Sequence, residues 1–319
     1  MKELHLWNFI LQKISKGKTV ILIAVVDHEK GSPGKEGFKM AVAATDDYIG
    51  SVGGGVMEYN IIKECAEMIK ENIPVNKLEK LFHNKRSSVK RSGLICSGSQ
   101  TNFTISLSKI DVKLIKIIRD FILTYKPGKI IFSGKGIKFS KGKVNEDTFV
   151  FNYTRSGGWT YEETVGIKNF LYIAGGGHVG IAVSKIMSLL DFHVTVIDDV
   201  VNLPLVKENT FADKIIISPF NKTGKFIKEG KQTYVLILTK NYHSDIEVLM
   251  QVTNKKIRYT GIMGTKVKIK KIFNEAIKEG ITKEQLKKIH APVGIDINSD
   301  TPEEIAVSIA AEIIRVKNS

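Results

Sequence analysis

Apolar residues recur at helical spacing between Leu4 and Ile14, with Leu6, Phe9, Ile10 and Ile14 on one side, and predict an amphipathic helix. Three β-type runs follow, at Thr19–Val26, Phe38–Ala44 and Tyr48–Val52. The triplet Gly53-Gly54-Gly55 then leads into a helix over Val56–Lys70, whose apolar stripe is Ile61, Ile62, Cys65, Met68 and Ile69. After a polar stretch, Leu94–Leu107 reads as a pair of strands. Val112–Thr124 has a period of 3.6 through Leu114, Ile117, Ile118, Phe121 and Ile122. Strands are predicted at Lys129–Phe132 and Thr148–Asn152, and the Gly, Ser and Thr residues between Thr154 and Thr164 read as a linker.

Beyond that point strands and helices alternate, with strands near 170–174, 193–197, 214–217, 233–238 and 257–262. Such alternation is the pattern of a parallel sheet covered on both faces. Helix starts are marked by Ser244 with Glu247, by Thr282 with Gln285, and by Thr301-Pro302-Glu303-Glu304, a capping box with proline in the first turn. Gly280 reads as a helix C-cap. The rows Ile305/Ile309/Ile313 and Ala306/Ala310 predict a buried terminal helix. The fold expected is α/β: a smaller mixed α+β domain over residues 1–165, then a Rossmann-like parallel sheet with helices on both faces over 166–319.

Chemistry concentrates at one place in that pattern. The apolar run Phe170–Ala174 feeds the loop Gly175-Gly176-Gly177-His178-Val179-Gly180. A helix follows, and then a strand that ends on Asp198 and Asp199. Gly175 suits a tight turn, Gly177 the approach of a backbone to a diphosphate, and Gly180 close packing of helix on strand. The helix start offers Gly176 and its neighbours as N–H donors to an anion. Asp198 would accept a hydrogen bond from a ribose or similar diol. A Rossmann-shaped domain that binds nothing shares the same pattern. In a parallel sheet the loops Gly175–His178, Asp198–Asp199, Thr239–Asp245 and Gly264–Lys266 converge on one crevice. There His178 either meets a ligand or fills the loop, His243 and Asp245 either face the crevice or cap a helix, and Lys266 either neutralises a phosphate or stays a surface lysine.

The first half holds a second glycine loop, Gly50-Ser51-Val52-Gly53-Gly54-Gly55, before a helix with Glu58 in its first turn. Its amides form another candidate anion cradle, since one tight turn accounts for one glycine and not for three. Cys96 stands among small residues in Gly93-Leu94-Ile95-Cys96-Ser97-Gly98-Ser99-Gln100. It is a candidate soft-metal or sulfur ligand, or else an inert buried cysteine.

Composition narrows the classes. The chain has 319 residues, 43% of them hydrophobic and 25% charged, which suits two globular domains. Two cysteines build no disulfide framework and fit a reducing cytoplasm. The apolar run Val20–Val26 is too short to cross a bilayer and lacks a cleavage site behind it, so neither a membrane segment nor a signal peptide is expected. The net charge of +15 comes from lysines spread through every segment, without a basic stripe interleaved with aromatics. It favours an anionic ligand or acidic partner over nucleic acid.

The order of these motifs resembles the xanthine dehydrogenase accessory factor family (XdhC/CoxI) over nearly the full chain. The markers are Gly31-Ser32-Pro33 with Lys39-Met40, the Gly50–Glu58 loop, Cys96, the loop Gly175–Gly180, and Asp198-Asp199. Tyr259-Thr260-Gly261-Ile262-Met263-Gly264-Thr265, His290-Ala291-Pro292-Val293-Gly294-Ile295-Asp296-Ile297 and Thr301–Ala306 complete the set. The resemblance implies a carrier that binds molybdenum cofactor (molybdopterin), receives its terminal sulfur from a cysteine desulfurase, and hands it to a molybdenum hydroxylase such as xanthine dehydrogenase, the carrier itself being a homodimer. Three departures mark a divergent member: Val56 where the family usually has cysteine, Gly34 where it has arginine, and Ser97-Gly98 where it has two glycines. Cys96 is then the one candidate thiol ligand to the metal. The competing reading is an NAD(P)-dependent oxidoreductase. Against it, Val200–Asp213 contains Pro204 and shows no clear crossover helix, and no Tyr-x-x-x-Lys pair stands out.

Overall fold

A computed structural model of the chain describes residues 2–82, 98–141, 149–153, 157–200 and 208–319. The candidate ligand Cys96 and the segment around Pro204 lie outside the described residues. The chain forms two compact units, Met1–Ile167 and Lys168–Ser319.

The first unit, mixed α/β and the longer of the two, is built on a five-stranded antiparallel sheet. Its strands are β1 (Val20–His28), β2 (Lys39–Ala44), β3 (Asp47–Gly50), β4 (Asn76–Phe82) and β5 (Ser99–Leu107), in the order β3-β2-β1-β5-β4. Helix α1 (Lys2–Ser15) brings Trp7, Ile10 and Ile14 onto one face, where α3 (Val112–Leu123) adds Ile115 and Ile118. Helix α2 (Gly55–Lys70) packs Ile62 and Cys65 on the other. The unbroken run Val20–Val26 follows from this: β1 is central and covered on both sides, so both faces of its pleat are apolar. Each such buried Ile or Leu contributes about 1.5–3 kcal/mol.

A four-stranded antiparallel sheet completes the unit, with β6 (Gly128–Ser133), β7 (Gly136–Lys141), β8 (Phe149–Tyr153) and β9 (Trp159–Val165) in the order β7-β6-β9-β8. Here the structure corrects the linker expectation. Trp159–Val165 is a strand paired on both sides, with Tyr161 and Glu163 buried. Its polar appearance has a physical cause in Glu163, which meets Lys39 Nζ at 2.5 Å. The same lysine lies 3.3 Å from Glu3. Strands β4 and β7 also escape the sequence pattern: both are partly exposed edge strands whose lysines break the apolar alternation. Of the strand pair expected within Leu94–Leu107, Ser99–Leu107 is the single strand β5, paired with β1 and β4, and residues 94–97 lie outside the described residues.

In the second unit all five strands are parallel: β10 (Phe170–Ala174), β11 (His193–Asp198), β12 (Lys214–Ile217), β13 (Gly230–Ile237) and β14 (Ile257–Ile262). They lie in the order β12-β11-β10-β13-β14, that is 3-2-1-4-5 in order of appearance. Helices α4 (His178–Leu189) and α8 (Pro302–Lys317) cover one face around Val183, Met187, Ile309 and Ile313. Helices α5 (Tyr242–Val252) and α6 (Lys266–Lys278) cover the other around Val248, Leu249, Ile269 and Ile272. A short helix, α7 (Lys283–Leu286), follows α6. The order reverses between β10 and β13, so the crevice expected of such a sheet opens at their carboxyl ends.

Candidate functional site

The loop after β10 occupies that crevice. Gly175 has φ +110°, and a Cβ there would lie 2.4 Å from the carbonyl oxygen of Leu238, so only glycine fits between β10 and β13. Gly180 sits in the first turn of α4, where a Cβ would lie 2.4 Å from the carbonyl of Gly175. Gly177 is different: its φ is −69° and nothing lies within 4 Å of where a Cβ would stand. The three glycines thus divide as the phosphate-loop pattern requires, two serving the chain's own packing and one leaving the backbone open.

Helix α4 begins at His178 with Gly177 as N-cap and no side-chain cap. Its neighbours along this edge differ. Asn241 caps α5 by accepting from the Ser244 amide at 2.9 Å, and Thr265 caps α6 through the Lys268 amide. Among the described residues the amides of Gly177, His178 and Val179 have no hydrogen-bond acceptor. His178 is exposed beside them. An uncapped helix start, with three free donors and the positive end of its dipole, has the chemistry of a candidate anion site.

Two expected site residues have other employment. Asp198 is buried; its Oδ2 accepts from the Gly176 amide at 2.7 Å and its Oδ1 from the Val200 amide at 3.0 Å. It braces the glycine loop from below, and with it Gly176 is withdrawn from the anion site. Its neighbour Asp199 is the exposed carboxylate at that strand end. At the next strand ends, Asp245 is fully buried and bonded to the Thr239 hydroxyl at 2.6 Å and to Lys268 Nζ at 2.6 Å. Burial pushes its carboxyl above the ordinary value, against the pull of Lys268 and Thr239. Lys268, and not the expected Lys266, is therefore the lysine tied into the crevice. Nothing in the spacing of Asp245 and Lys268 reveals the pair, because it joins two helix starts through the fold. Lys266 is exposed at the first position of α6, after Gly264, and His243 is exposed with its ring 3.9 Å from that of Tyr242.

The first glycine loop is partly filled by the chain itself. Glu58 turns back from the first turn of α2 and its Oε2 accepts from the Ser51 hydroxyl at 2.7 Å, the Val52 amide at 2.9 Å and the Gly54 amide at 3.0 Å. Glu58 thus occupies two of the loop's amides and its serine hydroxyl, in the position where the helix dipole favours an anion, while the amides of Gly55, Val56 and Met57 have no acceptor among the described residues. The three glycines are also explained without a ligand, since Gly53, Gly54 and Gly55 have φ of 132°, 78° and 67°. Behind the loop, Gln100 is fully buried, donating to the Val52 carbonyl at 3.0 Å and accepting from the Ser32 hydroxyl at 3.2 Å. It leaves no room at Gly34, where a Cβ would lie 2.5 Å from the Val52 oxygen. No sequence signal marks Gln100, because its role exists only where β5, the Ser32–Gly34 turn and the glycine loop meet. Among the described residues no group of three or more His, Cys, Asp or Glu side chains is placed to hold a metal ion.

A parallel sheet in this order, with a glycine loop and an uncapped helix at its reversal, defines the second unit as a Rossmann-type domain. Residues 171–313 match the family described as the XdhC Rossmann domain, and residues 14–79 match the XdhC and CoxI family. The chain belongs to the XdhC/CoxI family. It is 24% identical over 310 residues to YqeB of Escherichia coli (strain K12), which is 96% of this chain and 45% of YqeB. A Bacillus subtilis (strain 168) protein, named as one of the probable subunits of xanthine dehydrogenase, is 28% identical over 82 residues, 26% of this chain and 23% of that protein. The chain thus spans less than half the length of either relative. A crystal structure described as a xanthine dehydrogenase from Bacillus halodurans has the same fold, with a TM-score of 0.76 and 21% identity over 100% of this chain and 96% of that one. Among the described residues no helix is long and apolar enough to cross a membrane.

Proposed function

We propose that this chain is an accessory factor that binds molybdenum cofactor and delivers it, in sulfurated form, to a molybdenum hydroxylase such as xanthine dehydrogenase. The observation that carries the reading is the free start of α4. Its Gly177, His178 and Val179 amides have no hydrogen-bond acceptor among the described residues, where the neighbouring helices have caps. A phosphate or diphosphate of the pterin would take the place that a capping side chain takes at Asn241 and Thr265. His178 would contact the same group, and Asp199 is the acceptor at hand for a ligand hydroxyl. Family membership and the name of the Bacillus subtilis relative support a place beside xanthine dehydrogenase. In this reading the chain acts in the cytoplasm as a homodimer, and a cysteine desulfurase supplies the sulfur while the cofactor is carried. Cys96 remains the candidate thiol ligand to molybdenum. The glycine loop before α2 is the weaker phosphate candidate, because Glu58 already accepts from its Val52 and Gly54 amides.

The test is to incubate the purified protein with molybdopterin cofactor and measure co-eluting pterin fluorescence and molybdenum. Near-stoichiometric retention by the wild type and loss in a folded Gly177→Ala variant are expected. If the wild type retains neither while an authentic carrier retains both, the proposal is wrong. The second reading, a nicotinamide-dependent oxidoreductase, draws on the 3-2-1-4-5 strand order and the glycine loop. The engagement of Asp198 by two backbone amides weighs against it, since a ribose would compete for that carboxylate. Micromolar binding of NAD(H) or NADP(H) in a fluorescence titration, with turnover of a carbonyl substrate, would reverse the ranking.

A further inference from the structure

A different face of the second unit has no part in the reading above. Helix α6, α7 and the Ala291-Pro292 turn line an open groove of about 480 Å3. Its floor is apolar: Ile269 and Leu286 are almost fully buried there, with Phe273 and Pro292 beside them and Ile277 at the far end. The floor residues of α6 stand at i, i+4 and i+8, so they form a stripe about 12 Å long. Two lysine pairs frame it. Lys266 and Lys270 lie one turn apart on α6, and Lys283 and Lys287 one turn apart along α7 and its C-cap. All four are exposed, and none has a carboxylate partner among the described residues. The contrast lies within the same helix, where Lys268 is paired with Asp245 and Lys278 with Glu275.

From this geometry we infer that the groove receives an acidic amphipathic segment of a partner protein, its Leu, Ile, Phe or Trp side chains entering the floor and its Asp or Glu side chains meeting the lysine rims. Four unpaired ammonium groups around an apolar slot repel one another, and bound carboxylates relieve that repulsion. A peptide fits better than a lipid surface because the exposed apolar area is small: Ile269 and Leu286 are almost fully buried, and Ile277 and Pro292 alone of the apolar lining residues are exposed. A bilayer interface needs a continuous exposed apolar face, whereas a short peptide can cover the half-buried Phe273 and the exposed Ile277 with two or three side chains. The groove's lining follows β14, two strands from β10 in the sheet, and includes none of Gly177, His178, Val179 and Asp199, the groups assigned to the cofactor. Its occupant is therefore separable from the cofactor, and this inference stands or falls independently of the carrier reading.

The experiment uses the full chain and a phage-displayed library of random 12-residue peptides, selected on wild type and then measured by fluorescence anisotropy on wild type and on a Lys270→Glu/Lys287→Glu double variant. Both lysines are exposed, and an unchanged circular-dichroism melt establishes that the variant is folded. Enrichment of peptides with two or more acidic residues flanking large apolar ones is expected, with affinity falling tenfold or more in the double variant and falling again with added salt. A second arm offers vesicles of phosphatidylserine and phosphatidylcholine. The inference is overturned if no peptides are enriched, if the enriched peptides lack acidic residues, or if they bind the variant as well as wild type. It is overturned equally if the vesicles bind through these lysines and the selected peptides fail to displace them.

Discussion

Gly175 and Gly177 stand close together in one loop and answer to different constraints. A methyl group at Gly175 meets the Leu238 carbonyl at 2.4 Å with φ at +110°, whereas at Gly177 it meets nothing. Gly175→Ala should cost about 3 kcal/mol or more, because both strain and overlap are imposed on backbone. Gly177→Ala should cost at most about 1 kcal/mol, the difference between glycine and alanine as N-caps, yet impair binding of any ligand that approaches the loop backbone. Thermal melts read alongside pterin retention separate the two effects; equal retention by Gly177→Ala and wild type would remove that glycine from the site. A second residue-scale consequence concerns Glu163. Burial pushes its carboxyl up to about 8, against the favourable charge of Lys39, while Glu3 close by adds to the rise. Glu3 itself lies below the ordinary value: burial opposes its charge, but Lys39 and its hydrogen bonds outweigh that opposition. A raised carboxyl pKa means the folded state holds a proton that the unfolded chain has lost. The associated stability is present at low pH and disappears as pH rises from about 4.5 through about 8, by an amount on the order of a few kcal/mol. Urea midpoints of the wild type should fall between pH 6 and pH 9, and those of Glu163→Gln should fall less; parallel curves for the two proteins would refute this.

Helix starts show how far local pattern reaches. The boxes at Thr282/Gln285 and Thr301/Glu304 form as their spacing predicts, each with its reciprocal pair of hydrogen bonds. Gly280 ends α6 with φ +97°, the Ile281 amide reaching back to the Ala276 carbonyl. These devices are legible because all their atoms lie within a few residues. Helix α5 starts three residues before the position its Ser244/Glu247 spacing predicts: Asn241 is the cap and accepts from the Ser244 amide. Asn241→Ala should therefore lower stability by about 1 kcal/mol, while Ser244→Ala stays within about 0.5 kcal/mol. Chemical denaturation of both variants checks the assignment, and the reverse order would restore Ser244 as cap. Strand β9 departs from its local pattern for a related reason. Its Glu162-Glu163 pair looks solvated in the sequence, and only the register that sets Glu163 against Lys39 makes burial tolerable.

Each unit has its own apolar core, around Val20–Val26 and Phe103 in the first and around Leu171, Ile173, Val235 and Leu236 in the second. Residues 168–319 expressed alone should accordingly unfold in a single cooperative transition by circular dichroism; a broad non-cooperative melt would show that this core is insufficient. Where the second unit places its strands, and which loop opens at its carboxyl edge, was readable along the chain. Alternation of apolar runs with helical stripes constrains a parallel sheet, and the glycine loop can perform its turn only between a strand and a helix. Which donors remain available for a ligand was not readable. Both glycine loops have the same local grammar, but Glu58 takes two amides of one, and Asp198 withdraws only a single amide from the other. Local spacing determines backbone conformation because it acts over a few residues through sterics and hydrogen bonds. The availability of a hydrogen-bonding group depends on which side chain the completed fold carries to it, and only the tertiary structure decides that.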